Sequence, residues 1–335
     1  MRILPRAVAP LSALALLPML AACSGAGSAL APAGLSAQSA ASKPSFKSPE
    51  SLAQSKAGYT FTALNNPGDP TFNQLLGIND SGVIAGYFGV GTKKSPNKGY
   101  TLASPYGQGN YTNENFPGSF QTQVTAINNS GATAGFWVDK AGNNYGFTYS
   151  NGAYVSYSDQ ANGGGNFNQL LGINDHNLAV GWYVDSSSNS HGYRLNLANG
   201  TFTEILPPTG GSNLVATGIC DQDDETGFYK NSSGVTVGFL LKLKQFITIQ
   251  YPGAMSTTPF GINAEDEIVG SYIDGNGVQH GFTLVHPMQK TPVWTTVDDP
   301  NGVGDTTING VDSKGDLVGF YMPTGKTSYA FLATK

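Results

Sequence analysis

One short stretch concentrates residue types able to do chemistry. Asp221-Gln222-Asp223-Asp224-Glu225 sets four carboxylates within five residues, directly after Cys220. Such oxygen donors suit Ca²⁺, a hard cation that takes roughly six to eight of them. The spacing lacks the central glycine and distal glutamate of an EF-hand loop. Two expectations therefore stand side by side: a hydrated acidic hairpin, or a weak Ca²⁺ site built from Asp221, Asp223, Asp224 and Glu225. Cys220 would need a neighbouring base to act through its thiolate. The nearest histidine in sequence, His191, falls on a strand pattern, so Cys220 is expected to be a small buried packing residue. His176, His191, His280 and His286 show neither H-x-x-x-H nor H-E-x-x-H spacing, so zinc has no support. Acids such as Asp223 or Asp224, paired with one from elsewhere, would serve a carbohydrate-active hydrolase or lyase only if the fold holds two carboxyls several ångströms apart.

The remaining candidates recur in register. LLGINDSGVIAGYF (75–88), VTAINNSGATAGFW (124–137), LLGINDHNLAVGWY (170–183), VATGICDQDDETGFY (215–229), PFGINAEDEIVGSY (259–272) and INGVDSKGDLVGFY (308–321) are six copies of one unit. Ile78, Ile127, Ile173, Ile219, Ile262 and Val311 are equivalent, with steps of 49, 46, 46, 43 and 49 residues. Two rings follow if the copies close a circle. One is polar: Asn79, Asn128, Asn174, Cys220, Asn263 and Asp312. The other is largely aromatic and includes Phe136, Trp182 and Phe228, beside Trp137 and Tyr183 in the adjoining position. Asn79, Asn128, Asn174, Asn263, Asp312, Trp137 and Trp182 are thus candidate ligand contacts, since sugar sites combine aromatic faces with polar side chains. The competing expectation is structural, with Asn capping hairpins and aromatics filling the core.

Copies of this length must be positioned by short strands. In the third, YVSYS (154–158), QLLGI (169–173), LAVGWYV (178–184) and HGYRLNL (191–197) each have strand length and are separated by turn residues. The composition, with 44 glycines and 19 prolines, favours many turns and disfavours long helices. Both faces of the strands carry apolar or small residues, so both must be covered, which radially stacked sheets achieve. The expected fold is all-β: a six-bladed β-propeller of four-stranded antiparallel blades over residues 59–335. A solenoid is the alternative, but neither end resembles a capping repeat. YTFTAL (59–64) matches a first strand and YAFLAT (329–334) a last one, so the N-terminal strand is expected to complete the sixth blade and latch the ring.

The G-I-N-x-x-G-x-I-V-G-x-Y core, the downstream H-G-F and a P-G-A-like turn together resemble the bacterial extracellular HAF repeats. His191-Gly192-Tyr193 and His280-Gly281-Phe282 match the tripeptide best, and Pro252-Gly253-Ala254 the turn. Lys98-Gly99-Tyr100, Tyr145-Gly146-Phe147, Val237-Gly238-Phe239 and Tyr329-Ala330-Phe331 depart from the tripeptide. The resemblance implies export and a repeat fold, and no particular reaction.

The N-terminus agrees with export. Residues 1–22 carry Arg2 and Arg6 ahead of an apolar stretch, Leu11 to Leu20, too short to span a bilayer. Leu20-Ala21-Ala22-Cys23 resembles a bacterial lipobox, which implies lipidation of Cys23, with palmitate among the acyl chains. Ser24 in the next position resembles the class sorted to the outer membrane. Residues 23–58, rich in Ala, Ser, Gly and Pro, read as a disordered tether. Signal removal would change the formal charge from −5 to −7, and the chain has only three arginines, which excludes a phosphate-neutralising surface and so a nucleic-acid partner. The expected protein is a lipid-anchored, non-enzymatic binding or scaffold propeller for an envelope glycan or protein.

Overall fold

The structure, a computed structural model, describes residues 53–54, 58–159, 163, 165–323 and 327–335. The signal, Cys23 and most of the expected tether lie outside them. Six antiparallel sheets form the blades, five of four strands and one of five. From the innermost strand outward, blade I is Asn73–Ile78, Ile84–Phe88, Lys98–Leu102 and Tyr111–Asn113. Blade II is Gln121–Ile127, Thr133–Val138, Asn144–Ser150 and Ala153–Tyr157; blade III is Asn168–Ile173, Leu178–Val184, Ser190–Asn196 and Thr201–Glu204. Blade IV is Ser212–Ile219, Glu225–Lys230, Thr236–Lys242 and Gln245–Ile249, and blade V is Ser256–Ile262, Ile268–Ile273, Gln279–Val285 and Val293–Thr296.

Blade VI takes Thr306–Val311, Leu317–Tyr321 and Tyr329–Thr334 from the C-terminal end and Thr60–Ala63 from the other. The latch pairs Thr60 with Thr334 and Ala63 with Phe331, and Thr306–Val311 packs against Asn73–Ile78, so the ring is closed and a solenoid is excluded. Ala53–Gln54, inside the stretch expected as tether, adds a short fifth strand against Thr60 and Phe61. An edge strand needs only backbone hydrogen bonds, so it leaves no apolar period to read. The sequence unit also proves to be one strand out of phase with the blade. Ala153–Tyr157 pairs with Asn144–Ser150 of blade II, not with the blade that follows it in the chain.

The core is divided among the blade interfaces. Six apolar clusters each join neighbouring blades; one packs Leu75, Ile84 and Tyr100 of blade I against Val318 and Leu332 of blade VI. The glycines of the repeat mark where backbones approach. A Cβ on Gly310 would meet the Gly77 Cα at 3.1 Å, because the innermost strands converge there. Gly192, the glycine of the His-Gly-Tyr triplet, leaves room for Leu214 of the next blade, where any Cβ would collide with its side chain. The histidines of that motif are also structural. His191 lies between Glu204 (2.7 Å) and Asp185 (3.1 Å) and stacks on Tyr183, while His280 meets Asp298 (2.8 Å) and stacks on Tyr272.

Candidate functional site

Every innermost strand carries a β-bulge at the same place, between Leu75 and Gly77, Val124 and Ala126, Leu170 and Gly172, Ala216 and Gly218, Pro259 and Gly261, and Ile308 and Gly310. A bulge inserts one residue without a partner and re-aims its side chain. The inserted residues are Leu76, Thr125, Leu171, Thr217, Phe260 and Asn309, and all six line the axis. Apolar and polar alternate around the ring. The polar members join blades: Asn309 Nδ2 donates to the Leu75 carbonyl (2.8 Å), Thr125 Oγ1 to Leu170 (2.9 Å) and Thr217 Oγ1 to Pro259 (3.0 Å).

Two residues before each bulge, Gln74, Gln123 and Gln169 of blades I to III face the same space, and all three are buried. They border an axial cavity of about 60 Å³, room for a few waters. The apolar part of its lining is Leu76 and Phe136 on blades I and II and Leu171, Val215, Phe228 and Phe260 on blades III to V, with Trp182 and Phe167 clustered behind the latter. Among the described residues, no charged side chain lines it. Hydrogen bonds orient two of the amides. Tyr87 donates to Gln74 Oε1 (2.7 Å), and Trp182 Nε1 to Gln169 Oε1 (3.2 Å), while Gln169 Nε2 donates to Asn144 Oδ1 (3.2 Å). Gln74 Nε2, Gln123 Nε2 and Asn309 Oδ1 have no partner among the described residues.

The opposite end of the axis is narrowed by hairpin tips. Asn129 Nδ2 donates to Asp80 (2.9 Å) and Asp221 (3.3 Å), so tips of blades I, II and IV meet. Here the polar ring read from the sequence assembles, in a structural role. Asn79 Nδ2 donates to the Asn128 carbonyl (3.0 Å), Asn128 to Asn174 (3.0 Å), Asn174 to Cys220 (3.1 Å) and Asn263 to Asp312 (2.9 Å). Each Oδ1 accepts an amide of its own hairpin, as Asn128 does from Ala132 (2.8 Å) and Asp312 from Asp316 (2.9 Å). Trp182 stands behind the cavity at Gln169. Trp137 lies outside the cavity lining, sandwiched between Phe116 (4.4 Å) and Tyr145 (4.7 Å).

The acidic run disperses. Asp221 accepts from the Asp175 amide (2.9 Å), Asp223 meets His176 (3.0 Å), Asp224 binds Lys242 Nζ (2.6 Å) and Glu225 binds Arg194 Nε. Among the described residues, no three His, Cys, Asp or Glu side chains are grouped to hold a metal ion. The physical reason is the hairpin itself, since successive residues on a tight turn and the strand after it point to different neighbours. Cys220 is buried among Leu240, Ile262 and Ile268, as expected for a packing residue, and burial pushes its thiol up to about 11. Composition drew attention to acids and aromatics and passed over the glutamines. Their recurrence four residues before Ile78, Ile127 and Ile173 was the available signal.

No protein-family model and no curated protein matches the chain. Its fold is similar to solved structures. A TolB candidate from Agrobacterium tumefaciens shares 11% identity, with 78% of this chain and 90% of that one covered, at a TM-score of 0.56. AofleA from Arthrobotrys oligospora shares 12% over 84% of this chain and 89% of its own, at 0.50. At such identities the likeness shows the fold alone. The class established is therefore the six-bladed β-propeller with an axial cavity.

Proposed function

We propose that the chain is an extracytoplasmic, lipid-anchored binding propeller without catalytic activity, whose axial cavity takes an uncharged part of a glycan. The observation carrying this reading is the lining of that cavity, in which uncharged amides stand beside aromatic rings and no charged side chain is present among the described residues. Carbohydrates offer hydroxyl and amide groups to the first and C–H faces to the second. The acids weighed for hydrolysis are held in ion pairs and hairpins outside the cavity, which favours binding over bond cleavage. Saturation-transfer NMR against neutral and amino sugars tests the proposal; transfer to sugar protons is expected, and none from any saccharide would refute it.

Anchoring rests on Leu20-Ala21-Ala22-Cys23 and the apolar segment before it. More than one acyl chain holds a protein stably on a membrane without crossing it. Expressed in a diderm bacterium, the wild-type chain is expected in the outer-membrane fraction and Cys23→Ser in the soluble envelope fraction. Equal membrane retention of the variant would exclude the anchor.

A further inference from the structure

The unpartnered polar atoms of the axis are not scattered. Asn309 lies on blade VI, Gln74 on blade I and Gln123 on blade II, so all three belong to one contiguous arc of the ring. They are 4%, 0% and 2% exposed. Blades III to V add Leu171, Phe228 and Phe260 to the apolar lining that Leu76 and Phe136 begin on blades I and II. Two of the three amides are oriented by their own bonds. Tyr87 occupies Gln74 Oε1 and leaves Nε2 as the free donor; the Leu75 carbonyl occupies Asn309 Nδ2 and leaves Oδ1 as the free acceptor. The pattern is thus two N–H donors and one acceptor set among apolar side chains.

An acetamido group presents the complement of that pattern. Its carbonyl oxygen has two lone pairs, its nitrogen one hydrogen and its methyl no polar atom. We infer that the axial cavity is a receptor for the N-acetyl group of an amino sugar. The carbonyl oxygen accepts from Gln74 Nε2 and Gln123 Nε2, the N–H donates to Asn309 Oδ1, and the methyl packs on Phe228 and Phe260. The group is small enough for a cavity of about 60 Å³. A glycan hydroxyl alone would leave either the acceptor or the apolar lining unmatched. Buried polar groups left unpaired penalise the wrong ligand.

This inference rests on the glycan-binding reading and is tested so that the two fail separately. The full-length protein is titrated calorimetrically with N-acetylglucosamine, glucose and N-acetyllysine, and saturation transfer is recorded on each ligand. The expected result is preferential binding of N-acetylglucosamine, by tenfold or more over glucose, with the acetyl methyl receiving the strongest saturation. Gln123→Met, which keeps the volume and removes an unpartnered donor, is expected to weaken that binding about tenfold with no loss of melting temperature. Equal binding of glucose, or a Gln123→Met variant that binds as wild type, would overturn the acetamido site and leave glycan binding intact. Binding of N-acetyllysine without N-acetylglucosamine would overturn the sugar assignment, and binding of no saccharide would remove both readings.

Discussion

A chain beginning at residue 66 is expected to lose at least about 5 kcal/mol of folding stability, as much as the least stable domains possess in total. A chain beginning at residue 58 should unfold as the full-length protein does. The segment between these starts carries Tyr59, Phe61 and Leu64, all buried, and Phe61 meets Phe331 edge-on with ring centroids 5.0 Å apart. Burying a large apolar side chain is worth roughly 1.5–3 kcal/mol, and the cavity left by its loss adds to the penalty. The strand also covers the edge of Tyr329–Thr334, which would otherwise expose unpaired backbone groups beside Phe331 and Leu332. Denaturant unfolding of the two shortened chains decides the matter. Equal midpoints would mean that blade VI stands without its latch. Phe61→Ala is the milder test, with an expected loss of about 3–5 kcal/mol.

The second large effect is a dependence of stability on pH seated at Glu114. This carboxyl follows the outer strand of blade I, is buried against blade II and accepts a hydrogen bond from Thr133 Oγ1. Burial raises its pKa from 4.5 to about 7, with the Thr133 bond acting in the opposite direction. A folded-state pKa above the unfolded one means that the folded protein holds the proton more tightly. The stabilisation is complete below pH 4.5, declines as pH rises and is lost above about 7. The shift corresponds to about 3 kcal/mol between those limits. Glu114→Gln, which keeps the acceptor and cannot ionise, is expected to match the wild type near pH 4.5 and exceed it by about 3 kcal/mol at pH 8. His176 also titrates upward from its ordinary value through its bond to Asp223, so the difference between the two proteins, and not either curve alone, isolates Glu114. Parallel curves for the two proteins would place the Glu114 carboxyl in water.

Other buried ionic contacts follow the same geography. Arg194 of blade III reaches Glu225 of blade IV, at the position where blade I has Ile84 and blade V has Ile268. Burial raises the Glu225 pKa while Arg194 lowers it, and Oε2 is left without a partner among the described residues. Removing Arg194 alone would strand a buried carboxyl, which is costlier than never having paired it.

The architecture was legible because its causes are local and repeated. A hairpin such as Asn79-Asp80-Ser81-Gly82 is a turn for reasons contained in those residues: Gly82 adopts a positive φ of 76°, and Asn79 Oδ1 takes the Val83 amide. Recurrence of such turns, with two-sided apolar strands between them, is enough to imply six blades, and the ends already implied the latch. The axial cavity was not legible in that way. Side chains alternate along an unbroken strand, but the bulge at Leu76 and its five equivalents breaks the alternation, and which residue then faces the axis depends on the paired strand. The acidic run disperses for a related reason. Neighbours in sequence, Asp224 and Glu225, are drawn to Lys242 and to Arg194, partners 18 and 31 residues away. Sequence alone determined the number, size and turns of the blades, since these follow from short-range backbone preferences. Only the closed ring decided that Asn309, Gln74 and Gln123 should share one cavity, because Asn309 and Leu75, 234 positions apart, become neighbours when blade VI meets blade I.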